Sequence, residues 1–189
     1  FTPWATVIGA AAIPLMGRPL LFLPNHIVWL ELVIHPTAML AFQDLPADGP
    51  LAAVERHRHA RFFSPGDWLG LVGMGGFSCA MVVWGYLHAY GTDQDAGHAR
   101  AMAISVLLLC SAAYAAALTG LRKRTSWWVV AGTVVPLVLL VQVPALSSGL
   151  DLRPLHAADW GRAVAAAVVA WAGTRWLARR LGAGAAAGA

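Results

Sequence analysis

Charged residues are scarce in this chain: they make up 12% of its 189 residues, whereas 59% are hydrophobic and the mean hydropathy is +0.64. This balance excludes an ordinary soluble domain. The net charge of +4 does not indicate a nucleic-acid partner, because the basic residues form short clusters between apolar runs. Such clusters are typical of membrane topology. The sequence therefore predicts an integral membrane protein whose main surroundings are the lipid bilayer.

Cysteine is also scarce, and the common catalytic motifs are missing. Cys79 and Cys110 fall within apolar runs without metal-ligand spacing, so we interpret them as small buried hydrophobes. No phosphate-binding glycine loop, nucleophile elbow or zinc motif occurs, and the glycines from Gly73 to Gly76 indicate close helix packing. The segment that starts at Phe1 lacks the pattern of a signal peptide, and we expect the chain to be part of a longer polypeptide.

Glutamate occurs only twice, and Glu31 stands in the middle of an apolar run from 28 to 42. An ionisable residue at bilayer depth is costly, so it predicts a functional site. His35 follows four residues later, on the same face of a helix, where the two side chains can converge on one ion, proton or water. Pro36 removes a backbone donor and disfavours the α conformation at His35, which predicts a kinked or unwound helix. The alternative is a mutually satisfied Glu–His pair that fixes helix packing.

Apolar segments define the predicted fold, an all-α polytopic transmembrane bundle of six helices within residues 1–180. The segments are 3–16, 24–43, 68–90, 101–121, 127–146 and 159–177. The first is shorter than the ~20 residues that a full span requires. Residues 181–189 are rich in Gly and Ala and are predicted to form a flexible C-terminal tail.

The distribution of charge predicts the orientation in the membrane. Basic clusters at 56–61, 122–124 and 175–180 fall on one side if the six segments alternate, and this side is expected to be cytoplasmic. The N-terminal end and the C-terminus would then both be cytoplasmic, in what we expect to be a bacterial inner membrane. His57 and His59 are interpreted as solvated or headgroup-facing side chains of the basic cluster at 56–61, with metal binding as the alternative. His88, His98 and His156 lie near the outer surface in this topology and are interpreted as interfacial, with ligation of a haem or pigment as the alternative.

The order of several short motifs resembles a known family. The turn Gly17-Arg18-Pro19 and the run from Leu23 to Val33 are similar to the fifth and sixth membrane helices of cation-transporting P-type ATPases. Later motifs resemble the eighth to tenth helices of the same family: Met102 to Val106, Val143-Pro144, Pro154-Leu155 and Asp159-Trp160. The resemblance covers nearly the whole chain and implies the C-terminal transmembrane domain, from the fifth to the tenth membrane helix.

The resemblance also implies a set of ion-binding residues. Glu31 stands where a transport-site Asn is usual, Ile34 where a Thr is usual, and His35 where the ion-binding Asp is usual. Thr6 lies near a fifth-helix position that is often Glu, and Ser111 near an eighth-helix position that is acidic in part of the family. Most of a calcium-type cage is therefore missing, because Ca²⁺ prefers six to eight oxygen ligands. A proton, a monovalent ion or a softer metal fits better.

Two functions follow from this reading. The first is the membrane-embedded cation-transport domain of a P-type ATPase, in which phosphorylation of a separate headpiece switches access to the site. The 189 residues contain neither the phosphorylated-Asp motif nor a nucleotide domain. ATP and Mg²⁺ would therefore act only through that headpiece, and this chain alone is not expected to hydrolyse ATP. The second is a non-catalytic subunit of a larger membrane complex that packs through its Gly and Ala faces.

Overall fold

A computed structural model of the protein describes residues 3–43, 65–119 and 124–187. Within these ranges the chain forms seven helices and no strand, which confirms the all-α prediction for the described residues. In chain order they are α1 (Pro3–Leu15), α2 (Pro24–Gln43), α3 (Pro65–Asp93), α4 (Ala96–Thr119), α5 (Arg124–Gln142), α6 (Pro144–Gly149) and α7 (Ala157–Ala187).

Proline sets the start of four of these helices. Pro3, Pro24, Pro65 and Pro144 are the first residues of α1, α2, α3 and α6. At the first helical position the missing N–H of proline costs nothing and its fixed φ suits the helix. Val143, which precedes Pro144, is extended (φ −89°, ψ 113°), because the residue before a proline avoids the α conformation. The fifth predicted segment, 127–146, is therefore divided between α5 and α6.

Helix α4 lies at the centre of the described part of the protein. It packs against α3, α5 and α7, while α1 packs against α3 and α2 against α5. The buried side of α4 consists mostly of small or branched side chains. Its larger members are at most 1% exposed: Met102, Ile104, Val106, Leu108 and Cys110. Small residues let neighbouring helices approach closely. Cys110 is buried as predicted, whereas Cys79 is half-buried.

Three connections between helices meet at one end of the bundle, which we call the outer end. Gly17, Gln94 and Asp151, which have positive φ angles of 70°, 55° and 52°, mark these connections. Gly17 follows the last turn of α1, where only a left-handed residue closes the helix without strain. The predicted tight turn at Gly17-Arg18-Pro19 is present. Arg100, in the second turn of α4, joins two of these connections: its Nε donates to the Leu20 carbonyl at 3.0 Å, and its guanidinium pairs with the Asp151 carboxylate.

His26 adds a second link at the outer end. Its Nδ1 accepts a hydrogen bond from the Leu23 amide (3.1 Å), and its Nε2 lies 2.5 Å from the Leu150 carbonyl. A ring with one accepting nitrogen is neutral, so Nε2 carries the proton and donates it. The start of α2 is thereby fixed to the connection between α6 and α7.

The described residues do not confirm six membrane spans. Ala96–Leu118 is long and apolar enough to cross a membrane, whereas Trp127–Gln142 is apolar but shorter. No other described helix meets both conditions. Helix α1 has 13 residues, fewer than the ~20 of a full span. At the other end of the chain, α7 continues to Ala187, into the segment predicted as a tail. Alanine has the highest helix propensity, so this sequence extends a helix readily.

Candidate functional site

Glu31 lies on the face of α2 that points away from the packed bundle. Its side chain is exposed, as are Val28 (70%) and Leu32 (69%), whereas Leu30 (7%) and Val33 (8%) are buried. Helix α2 packs against α5 through its buried side. The carboxylate therefore lies beside large apolar side chains on an exposed face of α2.

His35 and Pro36 lie in the second half of α2, and their side chains fall outside the described part of the structure. The backbone remains helical from Pro24 to Gln43. The unwinding expected at Pro36 is therefore not found, because a proline removes only one hydrogen bond from a helix that other bonds continue to hold. The kink at this position stays a prediction.

Thr6 and Ser111, the other two residues of the predicted ion site, lie on α1 and α4. The side chain of Thr6 is outside the described residues. Ser111 is half-buried and its Oγ donates to the Leu107 carbonyl of the same helix at 2.9 Å. In the part of the chain that the structure describes, neither α1 nor α2 packs against α4. The set of Glu31, His35, Thr6 and Ser111 thus stays a prediction.

The described structure instead brings together a polar cluster at the outer end. Asp93 is the last residue of α3, His98 lies in the first turn of α4, and His156 and Asp159 stand at the start of α7. His98 Nε2 lies 3.5 Å from Asp93 Oδ2 and 3.2 Å from Asp159 Oδ2. His156 Nδ1 lies 3.4 Å from the same Asp159 oxygen. We call Asp93, His98, His156 and Asp159 the outer-end cluster.

Burial differs sharply within the outer-end cluster. The side chains of His98 and Asp159 are 6% and 9% exposed, whereas those of Asp93 and His156 are 41% and 77% exposed. A cavity of about 190 Å³ opens beside all four residues. The cluster therefore has a buried floor and a solvent-accessible rim.

Local helix chemistry fixes these side chains. Asp95 caps α4, because its Oδ1 accepts from the amide of Gly97 at 2.8 Å. At the start of α7, Asp159 Oδ2 accepts from the His156 amide at 3.3 Å, as the third helical residue does in a capping box. The other oxygen of Asp159 accepts from Arg162 at 2.7 Å. The capping bond at the start of α7 thus also fixes the position of Asp159, which is a member of the cluster.

Comparison with protein families identifies the chain. A family model described as "Cation transporting ATPase, C-terminus" matches residues 19–179. The chain belongs to this family. The cation-transporting ATPase C-terminal domain is a transmembrane domain, so the protein is an integral membrane protein with a part in cation transport, and the resemblance drawn from the motifs is confirmed. No curated protein and no solved structure matches the chain significantly.

The matched part of this cation-transporting ATPase C-terminal domain contains Glu31, His35, Ser111 and the whole outer-end cluster, whereas Thr6 lies before it. Sequence reasoning placed His98 and His156 at the outer interface but did not predict their convergence with Asp93 and Asp159. A signal was present, because Asp95 precedes His98 by three residues and His156 precedes Asp159 by three. Such pairs at helix starts indicate N-terminal caps. They do not indicate that the starts of α4 and α7 lie next to each other in the fold.

Proposed function

We propose that this chain is the transport domain of a P-type ATPase and that it carries its ion or proton at Glu31, with His35 one helical turn away. The observation that carries the proposal is the exposure of Glu31 on an apolar face of α2, between Val28 and Leu32. A carboxylate that faced lipid at this depth would be strongly disfavoured. The face is therefore expected to be covered by other membrane helices of the same ATPase, with the ion held where they meet α2.

The residues of the site suggest which ion it carries. One carboxylate and one imidazole provide fewer oxygens than Ca²⁺ requires. A proton, a monovalent cation or a softer metal suits such a pair, and the histidine lets the charge of the site change near neutral pH. Ser111 stays in the proposed set because the family resemblance places it there, and its hydroxyl oxygen keeps lone pairs for a cation while its proton bonds to Leu107; in the described residues, α4 does not pack against α2. Thr6 would add a further hydroxyl oxygen.

The proposed orientation places the outer-end cluster on the side opposite the cytoplasm. Arg179 and Arg180, at the far end of α7 from the cluster, are exposed, and basic residues collect on the cytoplasmic side. The N-terminal end and the C-terminus would both be cytoplasmic, in a bacterial inner membrane. Phosphorylation of the headpiece of the ATPase would then control access to Glu31 from either side.

A second candidate function is an accessory subunit of a larger membrane complex. It is favoured by Gly73 and Gly76 on α3, where an added Cβ would meet no atom within 4 Å. Small residues on an uncovered surface allow another helix to approach closely. In this case the partner would pack against α3, and Glu31 would have no transport role.

The test is Glu31→Gln in the full polypeptide that carries this sequence, reconstituted in liposomes. We expect ion-stimulated ATP hydrolysis and ion uptake to fall to background, because the neutral amide cannot balance the charge of a bound cation. The matched control is Leu32→Ala, which alters the same exposed face without removing a charge and should keep most of the activity. Size-exclusion and thermal unfolding measurements establish that both variants fold.

The outcomes separate the two candidates. Unchanged transport by Glu31→Gln would refute the ion site. An intact mass close to 19.9 kDa for the isolated polypeptide, with no ATP hydrolysis, would favour the accessory subunit. A much larger mass, with an Asp-Lys-Thr-Gly-Thr motif upstream, would favour the pump.

A further inference from the structure

We propose that the outer-end cluster is a binding site for a transition-metal dication of the zinc class, separate from the transport site at Glu31. Its donors would be Asp93 Oδ2, His98 Nε2, His156 Nδ1 and Asp159 Oδ2. They come from the end of α3, the start of α4 and the start of α7, so one ion would join three helices.

Donor spacing is the first argument. A tetrahedral zinc site with bonds of about 2.0–2.1 Å has ligand atoms about 3.3 Å apart. Three donor pairs of the cluster already stand close to this spacing: His98 with Asp159 at 3.2 Å, His156 with Asp159 at 3.4 Å, and His98 with Asp93 at 3.5 Å. The donor atoms of Asp93, His98 and His156 all lie within 4.8 Å of one another. Small rotamer adjustments of the two exposed residues would complete the tetrahedron.

Donor chemistry selects the class of metal. Two imidazole nitrogens with one or two carboxylate oxygens suit Zn²⁺, Co²⁺ or Ni²⁺. Ca²⁺ and Mg²⁺ prefer sites built of oxygen ligands. The net charge of the cluster also suits a dication, because Asp93 and Asp159 contribute two negative charges and Arg162 neutralises only part of them.

The surroundings of the cluster also resemble those of a metal site, in which neighbouring residues orient the ligands. Arg162 holds Asp159 through Oδ1 at 2.7 Å, which leaves Oδ2 turned toward both histidines. Such outer contacts orient metal-binding carboxylates. The cavity of about 190 Å³ gives an ion access from solvent. His98 is the buried ligand of the cavity, and His156 is the exposed ligand that would bind the ion from the solvent side.

Zinc titration of the full chain in detergent tests the proposal. His57→Asn and His59→Asn are introduced first, so that the histidines of the basic cluster at 56–61 do not compete. In this background we expect one equivalent of Zn²⁺ to bind saturably by calorimetry. Co²⁺ should bind at the same site and give the intense visible absorption of a tetrahedral complex.

His156→Ala is the decisive variant, because its 77% exposed side chain can be removed without disturbing the core. It should weaken Zn²⁺ binding at least about 10-fold and abolish the tetrahedral Co²⁺ spectrum, and Asp93→Asn should weaken binding similarly. His88→Ala is the matched control, since His88 stacks on Trp84 outside the cluster, and it should leave binding unchanged. Absence of saturable Zn²⁺ binding, or equal binding by His156→Ala, would overturn the proposal.

Discussion

At the scale of single residues, Arg100 links two helix connections at the outer end. It is 8% exposed, and its guanidinium reaches the Leu20 carbonyl in the α1–α2 connection and Asp151 after α6. Tyr86 supports the same α1–α2 connection by donating from its hydroxyl to the Pro19 carbonyl at 2.8 Å. Arg100 of α4 and Tyr86 of α3 therefore hold the α1–α2 connection in place, although this connection contains few buried apolar residues of its own.

Replacing Arg100 by Ala is expected to destabilise the protein by about 1.5–3 kcal/mol, the usual range for a hydrogen bond to a charged group. The loss arises because the Leu20 carbonyl loses its donor, while Asp151, whose side chain is 70% exposed, is rehydrated at little cost. Chemical unfolding in detergent measures the change. Asp151→Asn is the control, since it removes the ion pair alone and should cost less than about 1 kcal/mol. Equal stability of Arg100→Ala and the native protein would contradict this account.

Some residues of the candidate sites could be predicted from sequence and others could not. Glu31 is identifiable because its apolar neighbours in sequence make it conspicuous, and the turn at Gly17 follows from local chemistry. The meeting of His98 with Asp159 depends on how α4 and α7 pack, which no local pattern specifies. Helix order is predictable from the apolar runs. Gln142 and Pro144 indicate an irregularity within segment 127–146, but the apolar residues on both sides of them do not show that the segment divides into two helices.

Among the helices, the start of α4 depends on a close backbone approach. An added Cβ at Gly97 would lie 3.1 Å from Arg153 Cγ and 3.2 Å from the Asp151 carbonyl oxygen. The Arg153 amide also donates to the Gly97 carbonyl at 3.3 Å. The absence of a Cβ at Gly97 therefore lets α4 lie close against the connection that precedes α7.

Gly97→Ala should destabilise the protein by about 1–3 kcal/mol, as expected for overpacking against the Asp151 carbonyl and the Arg153 side chain. The matched control is Gly161→Ala in α7, where an added Cβ meets nothing within 4 Å. That variant should be neutral or more stable by up to about 1 kcal/mol, because alanine favours a helix more than glycine does. Thermal unfolding measures the melting temperatures of both variants. Similar melting temperatures for the two would refute the proposed close approach.

At the scale of the whole molecule, apolar side chains lie both inside and outside the bundle. Helix α4 is packed by its neighbours, yet large hydrophobic residues on α3, α5 and α7 remain exposed, among them Trp84 (45%), Leu139 (50%) and Val168 (56%). A membrane domain shows such an outer surface because lipid replaces water around it. This arrangement agrees with the membership of the chain in the cation-transporting ATPase family.

The proposed topology predicts which sites are reachable from each side of the membrane. Thr92→Cys, in the exposed last turn of α3, should react with a membrane-impermeant maleimide in intact cells. Arg179→Cys, near the end of α7, should react only after the membrane is permeabilised. The native protein is the control, because Cys79 and Cys110 lie within helices and should react little in either condition. Labelling of Arg179→Cys in intact cells would refute the orientation.

The central position of α4 also has a consequence for biogenesis. In the proposed topology, the short connection at Gln94 and Asp95 lets α3 and α4 enter the membrane together as a helical hairpin soon after both are translated. The side of α4 that contacts α7, however, has no partner until the last part of the chain has been made. A chain that ends before residue 157 therefore leaves this side of α4 uncovered, although the other helices that α4 contacts, α3 and α5, are already present.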